Sequence, residues 1–172
     1  MAGVNSPQGA GTARPLGPVR PGRSERGTRA IGRSIGGARV IGIVIVAHGG
    51  LATEYLAAVE HVMGAQQGMR AISILPDDDR AAKQAEICAA ADAVDTGNGV
   101  VVVTDMFGGS PSNLSLRACA PPDRKILYGA NLPMLIKLAK SRRLPVDHAV
   151  TAALKAGRKY INSFDGDMRM AD

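Results

Sequence analysis

Apolar and polar positions along the chain form two kinds of segment, short β-branched runs and longer amphipathic stretches. The β-branched runs predict four strands, at 40–46, 71–74, 100–104 and 125–128. The amphipathic stretches predict five helices, at 51–63, 81–94, 110–120, 132–140 and 146–160. The first and third strands are almost continuously apolar, which is typical of parallel strands that helices cover on both faces.

The alternation of these strands and helices predicts a doubly wound α/β domain. Because the first and third strands are the most apolar, we expect them to be central in a mainly parallel sheet of order 2-1-3-4, with helices on both faces. Residues 161–164 predict a short, antiparallel last strand. We therefore expect one domain at 40–164 and a C-terminal tail at 165–172.

Residues 1–39 differ in composition, with nine Gly, seven Arg and four Pro and no periodic apolar pattern. Such a segment buries too little apolar surface to offset its ordering entropy, so we predict disorder. It also carries the whole net charge of +6, because the rest of the chain holds 14 basic and 14 acidic side chains. Because this domain is neutral, and only 3% of the residues of the whole chain are aromatic, we do not expect the domain to bind nucleic acid.

Two alternatives stay open for this N-terminal segment. It could tether the domain to nucleic acid or to another anionic surface. Alternatively, the start is misplaced, because a bacterial valine codon can initiate translation and Val40 stands where the first strand opens. The intact mass of the native protein separates the two, since a mass that includes residues 1–39 would reject a misplaced start.

No run of 18 apolar residues occurs, so we do not expect the chain to insert into a membrane. Cys88 and Cys119 lie far apart and form no C-x-x-C motif. We interpret both as small buried apolar side chains in a reducing compartment.

Two predicted strand ends carry the candidate chemistry. His48 follows the first strand and Asp105 follows the third. In open parallel sheets, ligands bind at the carboxyl ends of the strands where the strand order reverses, and neighbouring strands lie ~4.8 Å apart. We therefore expect the two side chains to meet, with Asp105 fixing the tautomer of the His48 ring and leaving its other nitrogen as a nucleophile.

The residues after Asp105 suit an anion. Gly108, Gly109 and Ser110 precede a predicted helix, where free backbone N–H groups can bind a phosphoryl group. A hydrolase triad that uses Ser110 is disfavoured because the G-x-S-x-G motif is missing. Met106 and Phe107 form either an apolar rim where a partner protein docks or a part of the core.

The remaining candidates have simpler interpretations. Asp77, Asp78 and Asp79 are typical of a helix start, because acidic side chains there complement the helix dipole. A metal site is the competing interpretation of these three residues. His61 and His148 lie inside predicted helices without glycines or a facing carboxylate, so we assign them no function.

Three segments, IGIVIVAHG at 41–49, TDMFGGSPSN at 104–113 and GANLPM at 129–134, resemble the enzyme IIA domain of the mannose-type phosphoenolpyruvate:sugar phosphotransferase system. The resemblance implies that the phosphocarrier HPr phosphorylates His48 on Nε2 and that an enzyme IIB accepts the group. It also implies that Asp105 orients the ring and that Ser110 lies near the phosphate. It further implies a cytoplasmic homodimer, with the last strand at 161–164 able to pair with the partner subunit.

We therefore expect a phosphoryl-relay protein with a phosphohistidine intermediate, and neither a metal ion nor a cofactor. One alternative is a regulatory module whose phosphorylation state at His48 is read by another protein, without onward transfer to a sugar permease. Both predict an acid-labile, base-stable phosphate on His48, and they differ in the acceptor. A subunit of the related dihydroxyacetone kinase is a third alternative, against which the intact FGGSP motif at 107–111 argues.

Overall fold

A computed structural model of the chain describes residues 39–163. The four strands within this range are all parallel and have the order β2-β1-β3-β4; they are β1 (Gly42–His48), β2 (Met69–Ile74), β3 (Val100–Thr104) and β4 (Arg124–Tyr128). The helices are α1 (Leu51–Met63), α2 (Arg80–Val94), α3 (Ser110–Ser115), α4 (Leu132–Lys140) and α5 (Val146–Lys159), with a short 3-10 helix at Arg117–Cys119. None of the helices in the described range has both the length and the hydropathy to cross a bilayer.

The sheet separates two apolar cores, which explains why β1 and β3 are apolar throughout. Ile43 and Ile45 of β1 face a core that contains α1, α4 and α5. Val44 and Val46 point to the opposite side, into a core that contains α2 and α3. Helices therefore cover both faces, and the predicted doubly wound α/β fold with sheet order 2-1-3-4 is confirmed.

Gly42 lets β1 pass close to the end of α2. A Cβ added at Gly42 would lie 2.5 Å from the carbonyl oxygen of Val94, closer than real Cβ atoms approach an oxygen. A glycine inside a strand commonly marks such a close backbone approach.

The strand predicted at 161–164 is not formed by residues 161–163. The N–H of Ile161 donates to the carbonyl of Arg158 at 3.3 Å, so the chain is still turning out of α5 at this point. Ile161 is 75% exposed, and residues 161–163 pair with none of the four strands in the described range. Phe164, the tail at 165–172 and residues 1–38 lie outside the described residues.

The two cysteines are partly buried and pack against the α2 side of the sheet. Burial raises the pKa of the Cys119 thiol to about 11. Cys119 is therefore a neutral thiol at physiological pH, which agrees with its interpretation as a packing residue.

Arg142, in the turn between α4 and α5, forms hydrogen bonds with the backbone at the start of the sheet. Its buried guanidinium donates from Nε to the carbonyl of Ile41 at 2.6 Å, from Nη1 to Gln67 at 2.6 Å and from Nη2 to Gly68 at 3.3 Å. Its own carbonyl accepts from the N–H of Ile41 at 2.8 Å. One side chain thus joins the entry of β1, the turn before β2 and the α4–α5 connection.

Replacing this guanidinium is expected to destabilise the fold. Arg142→Met fills similar space but donates no hydrogen bond, so three carbonyls lose their donor, and we expect the free energy of unfolding to fall by about 3 kcal/mol. Urea unfolding measures the change. Arg143→Met alters an exposed neighbour and should cost less than about 0.5 kcal/mol. Equal losses in the two variants would contradict the role given to Arg142.

Candidate active site

His48 and Asp105 meet at the carboxyl ends of the two central strands. The sequence placed His48 in the loop after a strand that ends at 46, but β1 continues through His48 as its last residue. The pairing with β2 extends this far because the N–H of Gly49 still donates to the carbonyl of Ile74 at 2.9 Å. Asp105 directly follows β3. Nδ1 of His48 lies 2.7 Å from Oδ2 of Asp105, and the backbone N–H of His48 donates to the same oxygen at 3.1 Å.

The hydrogen bonds to Asp105 determine its charge. Partial burial alone would raise the pKa of Asp105, but donation from the backbone and ring of His48 and from the N–H of Met106 (2.9 Å, to Oδ1) outweighs it. The pKa of Asp105 therefore lies below its usual value, and the group is a carboxylate at neutral pH. A carboxylate only accepts hydrogen bonds, so the bonded Nδ1 carries a proton, and in the neutral form of the ring Nε2 keeps its lone pair.

The two side chains differ in access to solvent. The side chain of His48 is 45% exposed, whereas that of Asp105 is 12% exposed. The carboxylate is thus shielded while the imidazole stays open to a reaction partner.

The glycine loop after Asp105 lies against the free edge of the ring. A Cβ added at Gly109 would lie 2.9 Å from Cε1 and 3.4 Å from Nε2 of His48. Gly109 has φ −79°, so this restriction is steric, whereas Gly108 has φ +79° and needs the conformational freedom of glycine. The carbonyl of Gly109 accepts from Ser112 Oγ at 3.0 Å and from the N–H of Asn113 at 3.1 Å, which anchors the loop on α3.

The glycine loop and the start of α3 also contain backbone donors without a protein acceptor in the described range. Among the described residues, the backbone N–H groups of Gly109 and Ser110 donate to no protein acceptor. With the side chain of Ser110, which lines the cavity beside His48, they are available to a bound anion.

Met106 and Phe107 lie on the surface and not in the core. They are 53% and 76% exposed. The Phe107 ring packs edge-on against Tyr128, with centroids 4.9 Å apart and planes at 87°. Neither side chain is therefore part of an apolar core.

The segment at 129–134, which follows β4, is hydrogen-bonded to the end of β3 and to α1. The N–H of Ala130 donates to the carbonyl of Thr104 at 3.0 Å, and the Ala130 carbonyl accepts from the Tyr55 hydroxyl at 2.9 Å. Asn131 caps α4 by accepting from the N–H of Met134 at 3.0 Å. The loop after β4 is thus held against the residue that precedes Asp105.

A cavity of about 400 Å³ opens beside the His48 ring, and the loop between β2 and α2 forms one of its walls. The residues that line it are His48, Gly49, Ile74, Leu75, Pro76, Asp78, Arg80, Ser110 and Leu114. The sequence interpretation of this loop was right for Asp79, which caps α2 by accepting from the N–H of Ala82 at 2.6 Å. The sequence analysis did not identify Arg80 as a residue of this cavity, although the predicted strand order places the end of β2 beside the end of β1.

Comparison with known proteins identifies the family. Residues 42–155 match the family model described as PTS system fructose IIA component, EIIA-man. Over 126 residues the chain is 29% identical to the PTS system mannose-specific EIIAB component of Escherichia coli K12, an alignment that covers 72% of this chain and 39% of that protein. The chain therefore spans well under half the length of the curated relatives that it matches.

Solved structures share the fold over nearly their whole length. The mannose/sorbose-specific IIA subunit of the phosphotransferase system from Enterococcus faecalis aligns with a TM-score of 0.65 and 26% identity, over 73% of this chain and 95% of that one. The phosphotransferase system component EIIA from Streptococcus agalactiae aligns with a TM-score of 0.62 and 27% identity, over 72% and 97%. Since the family model spans about two thirds of the residues, from the first strand to the last helix, this chain belongs to the EIIA-man family of phosphotransferase system IIA components.

Proposed function

We propose that this protein is a phosphoryl relay that accepts a phosphoryl group from HPr on Nε2 of His48 and passes it to an enzyme IIB. The observation that carries the proposal is the bond of Nδ1 of His48 to the ionised Asp105 at 2.7 Å. In the neutral form of the ring this bond selects the tautomer with Nε2 unprotonated, which is the form in which an imidazole is a nucleophile.

The chemistry of transfer follows from this arrangement. The N–P bond of the phosphorylated donor breaks, its electron pair stays on the donor imidazole, and the Nε2 lone pair of His48 forms the new N–P bond. His48 then carries a proton on Nδ1 and phosphorus on Nε2, so its ring is positively charged and Asp105 balances that charge. Release to an acceptor returns the ring to its neutral form, with no proton moved at Nδ1.

Gly108, Gly109 and Ser110 are proposed to bind the phosphoryl oxygens. Phosphoryl transfer proceeds through a loose transition state with charge spread over three oxygens, so positioned hydrogen-bond donors stabilise it. The unpaired N–H groups of Gly109 and Ser110 and the approach of Gly109 to the ring support this role.

Met106 and Phe107 are proposed to contact the partner proteins. An exposed aromatic ring anchored by a neighbour, as Phe107 is by Tyr128, suits the centre of a transient interface, and docking over it would exclude water from the phosphohistidine.

The chain is also proposed to form a homodimer. The side chains of Tyr160 and Ile161 are exposed where the chain leaves α5, which supports a contact with a second copy there. Sedimentation equilibrium gives the mass in solution, and a monomer at micromolar concentration would reject the homodimer.

Phosphorylation from phosphoenolpyruvate, enzyme I and HPr tests the proposal directly. We expect one acid-labile, base-stable phosphate, mapped to His48. Onward transfer to an enzyme IIB from the same genome supports the relay. A labelled protein that no IIB discharges, but that binds a partner only when phosphorylated, would support the regulatory module instead.

Gly109→Ala is expected to slow phosphorylation about tenfold, because the new methyl group meets the reacting edge of the His48 ring and the ring or the loop must shift. The rate of transfer from HPr measures the effect. Gly50→Ala is the matched control, since Gly50 has φ −79° and no atom within 4 Å of an added Cβ. Equal rates in the two variants would show that the loop does not approach the ring closely enough to matter.

A further inference from the structure

Arg80 is an exposed residue that lines the cavity beside His48, and the relay proposed above does not use its positive charge. It is the first residue of α2 and lines the cavity together with Ser110 and Leu114. His48 apart, it is the one basic side chain among the residues that line this cavity. The lining of the cavity therefore includes His48, Ser110 and Arg80.

The Arg80 guanidinium forms no ion pair with the acidic side chains described around it. The cavity also contains Asp78, whose Oδ2 accepts from the N–H of Leu75 at 2.7 Å and lies 3.7 Å from Nζ of Lys83. Lys83 pairs further with Glu86 at 3.0 Å. Within residues 39–163, no carboxylate oxygen lies within 4.0 Å of the Arg80 guanidinium. The one acid of the cavity is thus paired with Lys83, while the guanidinium is available to an incoming anion.

Helix stability does not explain an arginine at this position. A basic side chain in the first turn opposes the helix dipole, at a cost of about 0.3–1 kcal/mol, and the start of α2 is already stabilised by the cap at Asp79 and the acidic residues before it. The cap at Asp79 holds the backbone next to Arg80, because Asp79 Oδ1 binds the N–H of Ala82 and its carbonyl accepts from the N–H of Lys83 at 2.9 Å. The side chain therefore projects from a fixed point.

We propose that Arg80 binds the phosphoryl oxygens while the group is transferred to Nε2 of His48 and while it remains there. The inference rests on the proposed function and adds a phosphoryl-binding residue to it. A guanidinium stays protonated at any working pH and offers paired N–H donors that match two phosphoryl oxygens. The loop at 108–110 would supply neutral donors, and Arg80 would supply the opposite charge.

Phosphoramidate is a small phosphoryl donor. Labelling with it therefore tests contact with the phosphoryl group in the absence of a docked protein. In this reaction the P–N bond of phosphoramidate breaks, ammonia leaves and Nε2 of His48 bonds to phosphorus. We expect Arg80→Ala to slow labelling of His48 about tenfold with phosphoramidate and by a similar factor with HPr at saturating concentration. Arg143→Ala removes the same charge from an exposed position beside the start of β1 and should label at the rate of the unaltered protein.

The outcomes are distinguishable. Equal labelling of the unaltered protein and Arg80→Ala by phosphoramidate overturns the inference and leaves the relay intact. A defect with HPr that appears only as a higher KM, and not with phosphoramidate, also overturns it and assigns Arg80 to docking. If neither donor labels the unaltered protein on His48, the proposed function itself fails. Circular dichroism of Arg80→Ala before labelling excludes loss of fold as the cause of a slower rate.

Discussion

The His48→Ala protein is expected to fold normally and to accept no phosphoryl group from HPr. The His48 side chain is accessible, and its ring forms a hydrogen bond with Asp105. His48 belongs to neither apolar core, so its truncation leaves both cores intact. No other described side chain places an imidazole next to the glycine loop. We expect labelling to fall below detection, and the unfolding midpoint to stay close to that of the unaltered protein.

The two other histidines are the matched controls for this result. His61 on α1 and His148 on α5 are both exposed and lie in none of the three motifs. His61→Ala and His148→Ala should label at the full rate. Residual acid-labile phosphate on His48→Ala, or a loss in either control, would move the phosphorylation site away from His48.

Asp105→Asn is expected to slow phosphorylation about 100-fold without unfolding the protein. An amide has one accepting atom, whereas both oxygens of Asp105 accept in the native site. If the amide oxygen faces His48, the NH₂ group opposes the N–H of Met106. If the NH₂ group faces His48, it donates to Nδ1 and drives the proton onto Nε2, which removes the nucleophilic lone pair. The uncharged amide also no longer balances the positively charged phosphohistidine.

Two measurements check this prediction. The rate of transfer from HPr gives the loss, and ¹⁵N spectra of the histidine rings give the tautomer, which should be Nδ1–H in the unaltered protein and altered in Asp105→Asn. Asp77→Asn removes the same charge from an exposed position in the loop after β2 and should change neither readout. An unchanged rate in Asp105→Asn would remove Asp105 from the mechanism.

The fold was predictable because its central strands are readable from the sequence. The apolar runs at 40–46 and 100–104 indicated strands that are buried on both faces. Such strands are central in a sheet, and this led to the predicted order 2-1-3-4. Helix α4 was predicted with its observed bounds. Helix α3 ends at Ser115, short of the predicted 120, because Ser115 Oγ donates back to the carbonyl of Pro111 at 2.7 Å and the chain continues as a 3-10 helix.

The pairing of His48 with Asp105 could be predicted for the same reason, since adjacent parallel strands bring their carboxyl ends together. Contacts that depend on long side chains could not be predicted. Arg142 reaches carbonyls 75 and 101 positions away, and no local pattern signals such a contact. Arg80 follows three aspartates that already explained a helix start, so nothing in the sequence directed attention to its side chain.

Strand β1 bonds to β2 on one side and to β3 on the other, and its residues 43–47 have no solvent-accessible surface. Amide protons in such a segment exchange with deuterated solvent only when the whole domain opens, whereas loops and edges open far more often. The backbone that carries His48 thus belongs to the slowest-opening part of the protein. In the relay proposed above, phosphorylation and dephosphorylation of His48 would therefore require no local opening of the strand that positions its ring.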